Sequence, residues 1–181
     1  MVESLKIVAL GVVAAIAYGV ALDNVTARVC VEYFTIGHVR IIASESPTLL
    51  ALAWGVLATW WVGLGLGILM AVACRSGRRP KLGVADLLRP LAWLLATMAV
   101  ASALAGLAGS FAATQGWVFL VGDRAAEIPA AKHHAFLADL WAHLAAYASA
   151  FLGGITLAIR ASLRRSRPAE AAIPINPLDP I

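Results

Sequence analysis

The chain is short of charge: Asp, Glu, Lys and Arg make up 13% of its 181 residues, against roughly 25% in a soluble domain. It holds two cysteines, Cys30 and Cys74, with no Cys-x-x-Cys pair and no Cys/His spacing of the zinc-finger kind, which excludes a disulfide framework and a zinc-ribbon module. No H-E-x-x-H, G-x-S-x-G or P-loop sequence occurs, so the common zinc protease, serine hydrolase and NTPase readings have no footing. Also missing are the repeated segments of about ten residues with alternating polarity that a transmembrane barrel requires. What the chain has instead is apolar bulk. It is 61% hydrophobic, with a mean hydropathy of +0.85, the composition of a membrane protein.

Four apolar runs stand out, at about Leu5–Leu22, Pro47–Cys74, Pro90–Thr114 and His134–Ile159. Each approaches or exceeds the roughly 20 residues that cross about 30 Å of hydrocarbon. A helix satisfies its own backbone in lipid, so the runs predict an all-α bundle of four transmembrane helices. Residues 1–167 form this single domain, and 168–181, punctuated by Pro168, Pro174, Pro177 and Pro180, read as an extended cytoplasmic tail. The first run carries Lys6 near its start and contains Gly19-Val20-Ala21, a loose likeness to a secretory signal. It is longer than the usual 7 to 15 apolar residues of such a signal, so it is expected to stay as helix one.

Lys and Arg are retained on the cytoplasmic side of short loops. Lys6, Arg75, Arg78, Arg79, Lys81, Arg89, Arg160, Arg164, Arg165 and Arg167 share one side of a four-span topology, and only Arg28, Arg40, Arg124 and Lys132 fall on the other, ten of 14 against four. Both termini are therefore expected in the cytoplasm. Rich Ala, Gly and Arg usage points to a bacterial inner membrane. The net charge of +4 is an orientation signal and no case for nucleic acid. Cys30 and Cys74 end up on opposite faces of the bilayer, out of reach of one another.

The opposite face collects the chemistry. All four histidines and six of the ten acids, Asp23, Glu32, Glu45, Asp123, Glu127 and Asp139, belong to the external loops or the outer half of helix four. Asp139, His143 and Tyr147 recur at i, i+4 and i+8, along one helical stripe. An ionisable pair inside lipid is costly unless it is partnered. Asp139 is expected to hydrogen-bond one imidazole nitrogen of His143 and leave the other for a ligand. The β-branched and aromatic stretch Val29–Ile36 reads either as a short strand or as an element lying in the interface. If extended, it would set Glu32 and His38 on one face and bring them over the bundle mouth. Asp139, His143, His38, Glu32 and His134 are accordingly candidate ligands for zinc or another divalent transition metal.

Trp60 and Trp61 lie near the middle of helix two, away from either interface, and with Tyr147 are candidates for a lipid- or quinone-binding groove. Ser102, Gly106 and Ser110 on helix three, and Ser149 and Gly153 on helix four, are small residues at four-residue spacing that let backbones approach closely. Gly63-Leu64-Gly65-Leu66-Gly67 lacks the dinucleotide-loop spacing, so packing or a local bend explains it. Helices two and three carry few polar groups and no evident break, which argues against autonomous transport. A haem between two helical histidines would need a partner for His143 on helices one to three, and they have none.

Three functions fit. The first is an accessory or scaffold subunit that binds other membrane subunits, or itself, within the bilayer; the second is a metal-binding protein or metalloenzyme facing the periplasm; the third is a lipid- or quinone-binding module.

Overall fold

The computed structural model describes residues 1–166; residues 167–181 lie outside them, and with them the expected tail. The helices are α1 (Val2–Val29), α2 (Val31–Thr35), α3 (Pro47–Leu57), α4 (Trp60–Arg75), α5 (Val84–Thr114), α6 (Gly122–Glu127) and α7 (His133–Arg164), with a 3-10 turn at Ala130–Lys132 leading into α7. Four spans are long and apolar enough to cross a membrane: Val2–Val29, Pro47–Arg75, Val84–Thr114 and Ala130–Arg164, of 28, 29, 31 and 35 residues. Even the shortest is about 42 Å long at the usual rise of about 1.5 Å per residue, enough to leave the hydrocarbon at both ends.

The element boundaries depart from the sequence expectation for identifiable reasons. The first span runs past Leu22 because its polar residues serve their own helix: the Asn24 amide donates to Val20 O at 2.8 Å and the Thr26 hydroxyl to Leu22 O at 3.2 Å. The third begins at Val84, where the Asp86 carboxylate accepts from the Gly83 N–H at 3.0 Å and Glu3 accepts from the Val84 N–H at 3.0 Å. Pro90 therefore sits inside α5, at the loss of one backbone donor. The stretch after Val29 is a helical turn, α2, and not a strand; among the described residues there is no strand at all.

The second span is broken. Between α3 and α4 the Thr59 N–H reaches back only to Val56 O at 3.3 Å, and the Ala58 carbonyl accepts instead from the Tyr147 hydroxyl at 3.3 Å. A carbonyl left out of the helical ladder at this depth is tolerated where another helix answers it. Helix two thus has the break that the sequence concealed.

Packing pairs the helices. α5 lies along α7, α1 is held by α3 on one half and α4 on the other, and α4 also meets α7. The α1–α4 contact is backbone on backbone: a Cβ placed on Gly63 would fall 2.6 Å from Gly11 O. Gly106 faces Ala138 O, and Gly153 faces Leu94 across the α5–α7 contact. Ser102 is buried, and Ser110 is half-buried. Ser149 donates to Ala145 O on its own helix at 2.6 Å.

At the end of the bundle that carries the N-terminus, Arg165 ties α7 to the α4–α5 connection. Its guanidinium is buried and donates to Pro80 O at 2.6 Å, Ala73 O at 2.5 Å, Ser76 O at 2.7 Å and Arg79 O at 3.3 Å. These carbonyls end a helix and a turn and have few other partners. Arg165→Ala is expected to destabilise the purified protein by about 1–3 kcal/mol, with Arg165→Lys recovering only part because an ammonium cannot span the same fork. An unchanged thermal transition for Arg165→Ala would show that the guanidinium holds nothing together.

Candidate functional site

At the opposite end of the bundle α1, α2, α3 and α7 converge on a buried polar centre. His143 is its middle. Its Nδ1 donates to Asp139 O at 2.8 Å, one turn back on α7, and its Nε2 lies 3.0 Å from Asp23 Oδ1 on α1. The Asp139 carboxylate therefore does not orient the imidazole; its backbone carbonyl does, because a helical side chain leans toward the preceding turn. The second ring nitrogen is already taken by Asp23, a residue the sequence had placed in the external loop. Signals that could have found it are the absence of any Gly or Pro between Leu22 and Val29 and the four-residue spacing from Gly19 through Asp23 to Ala27, all buried.

The proton count follows from the partners. A carbonyl oxygen only accepts, so Nδ1 carries a proton, and one further proton must lie between Nε2 and the Asp23 carboxyl. Asp23 is 5% exposed. The pair is net neutral either as imidazolium with carboxylate or as imidazole with carboxylic acid, which is how two titratable groups are accommodated at low dielectric. Asp139 is 2% exposed, and its Oδ2 has no hydrogen-bond partner among the described residues.

α2 covers this centre. The Tyr33 ring stacks on the His143 imidazole, with centroids 4.7 Å apart and planes 23° apart. Phe136 supports the Tyr33 ring from α7 at 5.1 Å. Burial foremost, with Asp139 and Asp23 adding to it, holds the Tyr33 phenol above its ordinary range. His38 donates from Nδ1 to Tyr33 O at 2.7 Å and packs 4.9 Å from Trp54. Beneath the cover lies a cavity of about 70 Å³ lined by Asp23, His143, Tyr147, Thr59, Tyr18 and Trp54. The Trp54 indole nitrogen has no partner among the described residues. The space exceeds the roughly 10–15 Å³ that one water requires.

The five candidate metal ligands are not brought together. Glu32 accepts from Cys30 Sγ at 3.4 Å and pairs with Lys132 at 3.4 Å. Burial raises its pKa, but its own backbone N–H, the Cys30 thiol and the Lys132 ammonium together hold it below the usual carboxylate value. His38 is engaged with Tyr33, His143 with Asp23, and His134 is exposed. Among the described residues no group of three or more His, Cys, Asp or Glu could hold a metal ion. Nor do Trp60 and Trp61 join Tyr147 in a groove: they are 44% and 52% exposed on the outer surface, while Tyr147 points inward to Ala58.

A second, larger recess occupies the other half of the bundle. α1 and α5 touch sparsely, joined by Glu3 to the Val84 N–H at the end and by Tyr18 to Ser102 at 3.0 Å in mid-bundle. Between these two ties opens a recess that continues along the α5–α7 seam to the exposed Trp93, Leu152 and Leu163, about 1040 Å³ in all, floored by α4 and α7 through Leu66, Met70, Gly153 and Leu157. Its walls include Leu10, Ala14, Leu91 and Met98, and its end is lined by Asp86, Arg89, Arg160 and Arg164. Ala15, Tyr18, Val62, Met98 and Ala150 line both spaces, so the two are stacked.

Removing one member of a buried pair strands the other. His143→Ala is expected to destabilise by about 3–5 kcal/mol, whereas the joint change Asp23→Leu with His143→Leu costs much less. A double variant no more stable than His143→Ala, by thermal unfolding in detergent, would refute the pairing. Burial pushes the Cys30 thiol up to about 12, so at pH 8 it remains a thiol. Maleimide is expected to modify Cys30 in a Cys74→Ala background only after unfolding, and rapid labelling of the folded protein would contradict this.

No family model, no characterised protein and no solved structure matches this chain, so no relative's residue roles carry over to Asp23, His143 or the arginines of the recess.

Proposed function

We propose that the protein is a small multi-pass accessory component of a larger assembly in a bacterial inner membrane, with both termini in the cytoplasm, and that it works by holding a lipophile from the bilayer in the recess between α1 and α5. The observation that carries this is the recess itself. A bundle complete in itself would close α1 on α5, whereas a recess opens between them and along the α5–α7 seam, about 1040 Å³ in all, slightly above the roughly 300–1,000 Å³ of ordinary ligand pockets. The small-residue faces of α5 and α7 are used up against each other, which leaves the recess as the place where something else can enter.

The orientation is supported by the ten basic residues of 14 that share the termini's side. The lipid-binding alternative is thereby moved from Trp60 and Trp61 to the α1–α5 recess. The metal-binding alternative lacks an assembled ligand set, since the side chains it needs are engaged elsewhere or exposed.

Ala14 lines the recess from α1, and a phenylalanine there would fill it. Solvent extracts of the wild-type protein purified in mild detergent are expected to contain a stoichiometric lipophile, which Ala14→Phe loses while keeping its thermal transition. Leu144, 59% exposed on α7, supplies the control, and Leu144→Phe should retain the lipophile. Equal extracts from all three proteins would defeat the proposal.

A further inference from the structure

The charges around the recess do not cancel. Glu3 pairs with Lys6 at 3.4 Å and Asp86 with Arg164 at 3.4 Å. Arg89 on α5 and Arg160 on α7 line the same end of the space and have no acidic partner among the described residues. Both are exposed. Two guanidiniums beside an apolar slot form a receptor for a negative group attached to a hydrocarbon tail, and a guanidinium matches a phosphate with two parallel hydrogen bonds.

The dimensions narrow the occupant. From Ile7 to Tyr18 along α1 the recess extends about 16 Å, the depth of one leaflet's hydrocarbon, about 15 Å. The Tyr18–Ser102 hydrogen bond crosses it at the inner end and stops it near the middle of the bilayer. The walls toward that end are Ala14, Leu94 and Met98, with no charge to meet a polar group. A molecule seated here has its anionic end at the basic rim and its chains inside a single leaflet.

We propose, resting on the recess-binding function above, that the occupant is one anionic glycerophospholipid of the leaflet on the termini's side, its phosphate at Arg89 and Arg160 and its acyl chains between α1 and α5. Each arginine near an anionic headgroup contributes about a 5-fold preference, and the pair about 30-fold.

The test is native mass spectrometry of the full chain released from nanodiscs made of equal parts phosphatidylglycerol and phosphatidylethanolamine. Wild type is expected to retain one phosphatidylglycerol per chain. Arg89→Ala with Arg160→Ala, both at exposed positions, should lose the preference of about 30-fold, and Ala14→Phe should retain neither lipid. Equal retention of both lipids by wild type, with loss in Ala14→Phe, overturns the anionic-headgroup assignment and leaves the recess-binding function standing. Wild type bare of lipid and indistinguishable from Ala14→Phe overturns both. A lipid-free mass of two chains that Ala14→Phe converts to one overturns the lipid and makes a second copy the occupant.

Discussion

Hydrocarbon offers no hydrogen-bond partners, so a polar group that this chain carries into the bilayer is costly unless another part of the chain answers it. The contact between Asp23 and His143 meets that demand across 120 residues of sequence, joining α1 to α7. Other contacts repeat the pattern: the Tyr147 hydroxyl with the Ala58 carbonyl, Tyr18 with Ser102, and Arg165 with the carbonyls of the α4–α5 connection. Polar side chains here are cross-ties between helices whose apolar faces have no preference for one another over lipid.

That division explains the shape of the bundle. Small residues let α5 lie against α7 and let α1 lie against α3 and α4, so close approach happens in two groups. α4 connects them by packing on both α1 and α7. α1 and α5 face each other without a small-residue seam, joined by two hydrogen bonds and, at the termini's end, by the apolar cluster that holds Ile7 with Leu87. A polar centre under the α2 cover and an apolar recess at the far end are two consequences of one arrangement, tight pairs joined by sparse ties.

Much of this was legible in the sequence. The four spans follow from hydrophobic run length, and the polar stripe on α7 follows from the spacing of Asp139, His143 and Tyr147. Asp23 was not legible, because a short acidic side chain after an apolar run looks like the end of a helix; only its partner on a distant element shows that it belongs inside. The α3–α4 break escaped notice for a related reason. Ala58 and Thr59 are ordinary residues, and the carbonyl freed there is tolerated only because Tyr147 arrives from another helix. Of the two readings of Val29–Ile36, the strand fails because β-branched and aromatic residues favour it only locally, whereas packing Tyr33 and Phe34 onto His143 rewards a helical turn. Arg89, Arg160 and Arg165 entered the sequence reading only as an orientation signal, and counting charges could not separate a cap from a rim.

The broken second span also imposes an order on biogenesis. Neither α3, with 11 residues, nor α4, with 16, reaches the roughly 20 needed to cross alone, so the two halves must enter the membrane together as one segment. Tyr147 is made 89 residues after Ala58, roughly 4–18 s later at ordinary rates of chain elongation. Until then the Ala58 carbonyl has no hydroxyl to receive, and the segment has reason to stay a continuous helix. The tie between Tyr147 and Ala58 is therefore a late event, set when the last helix enters and docks.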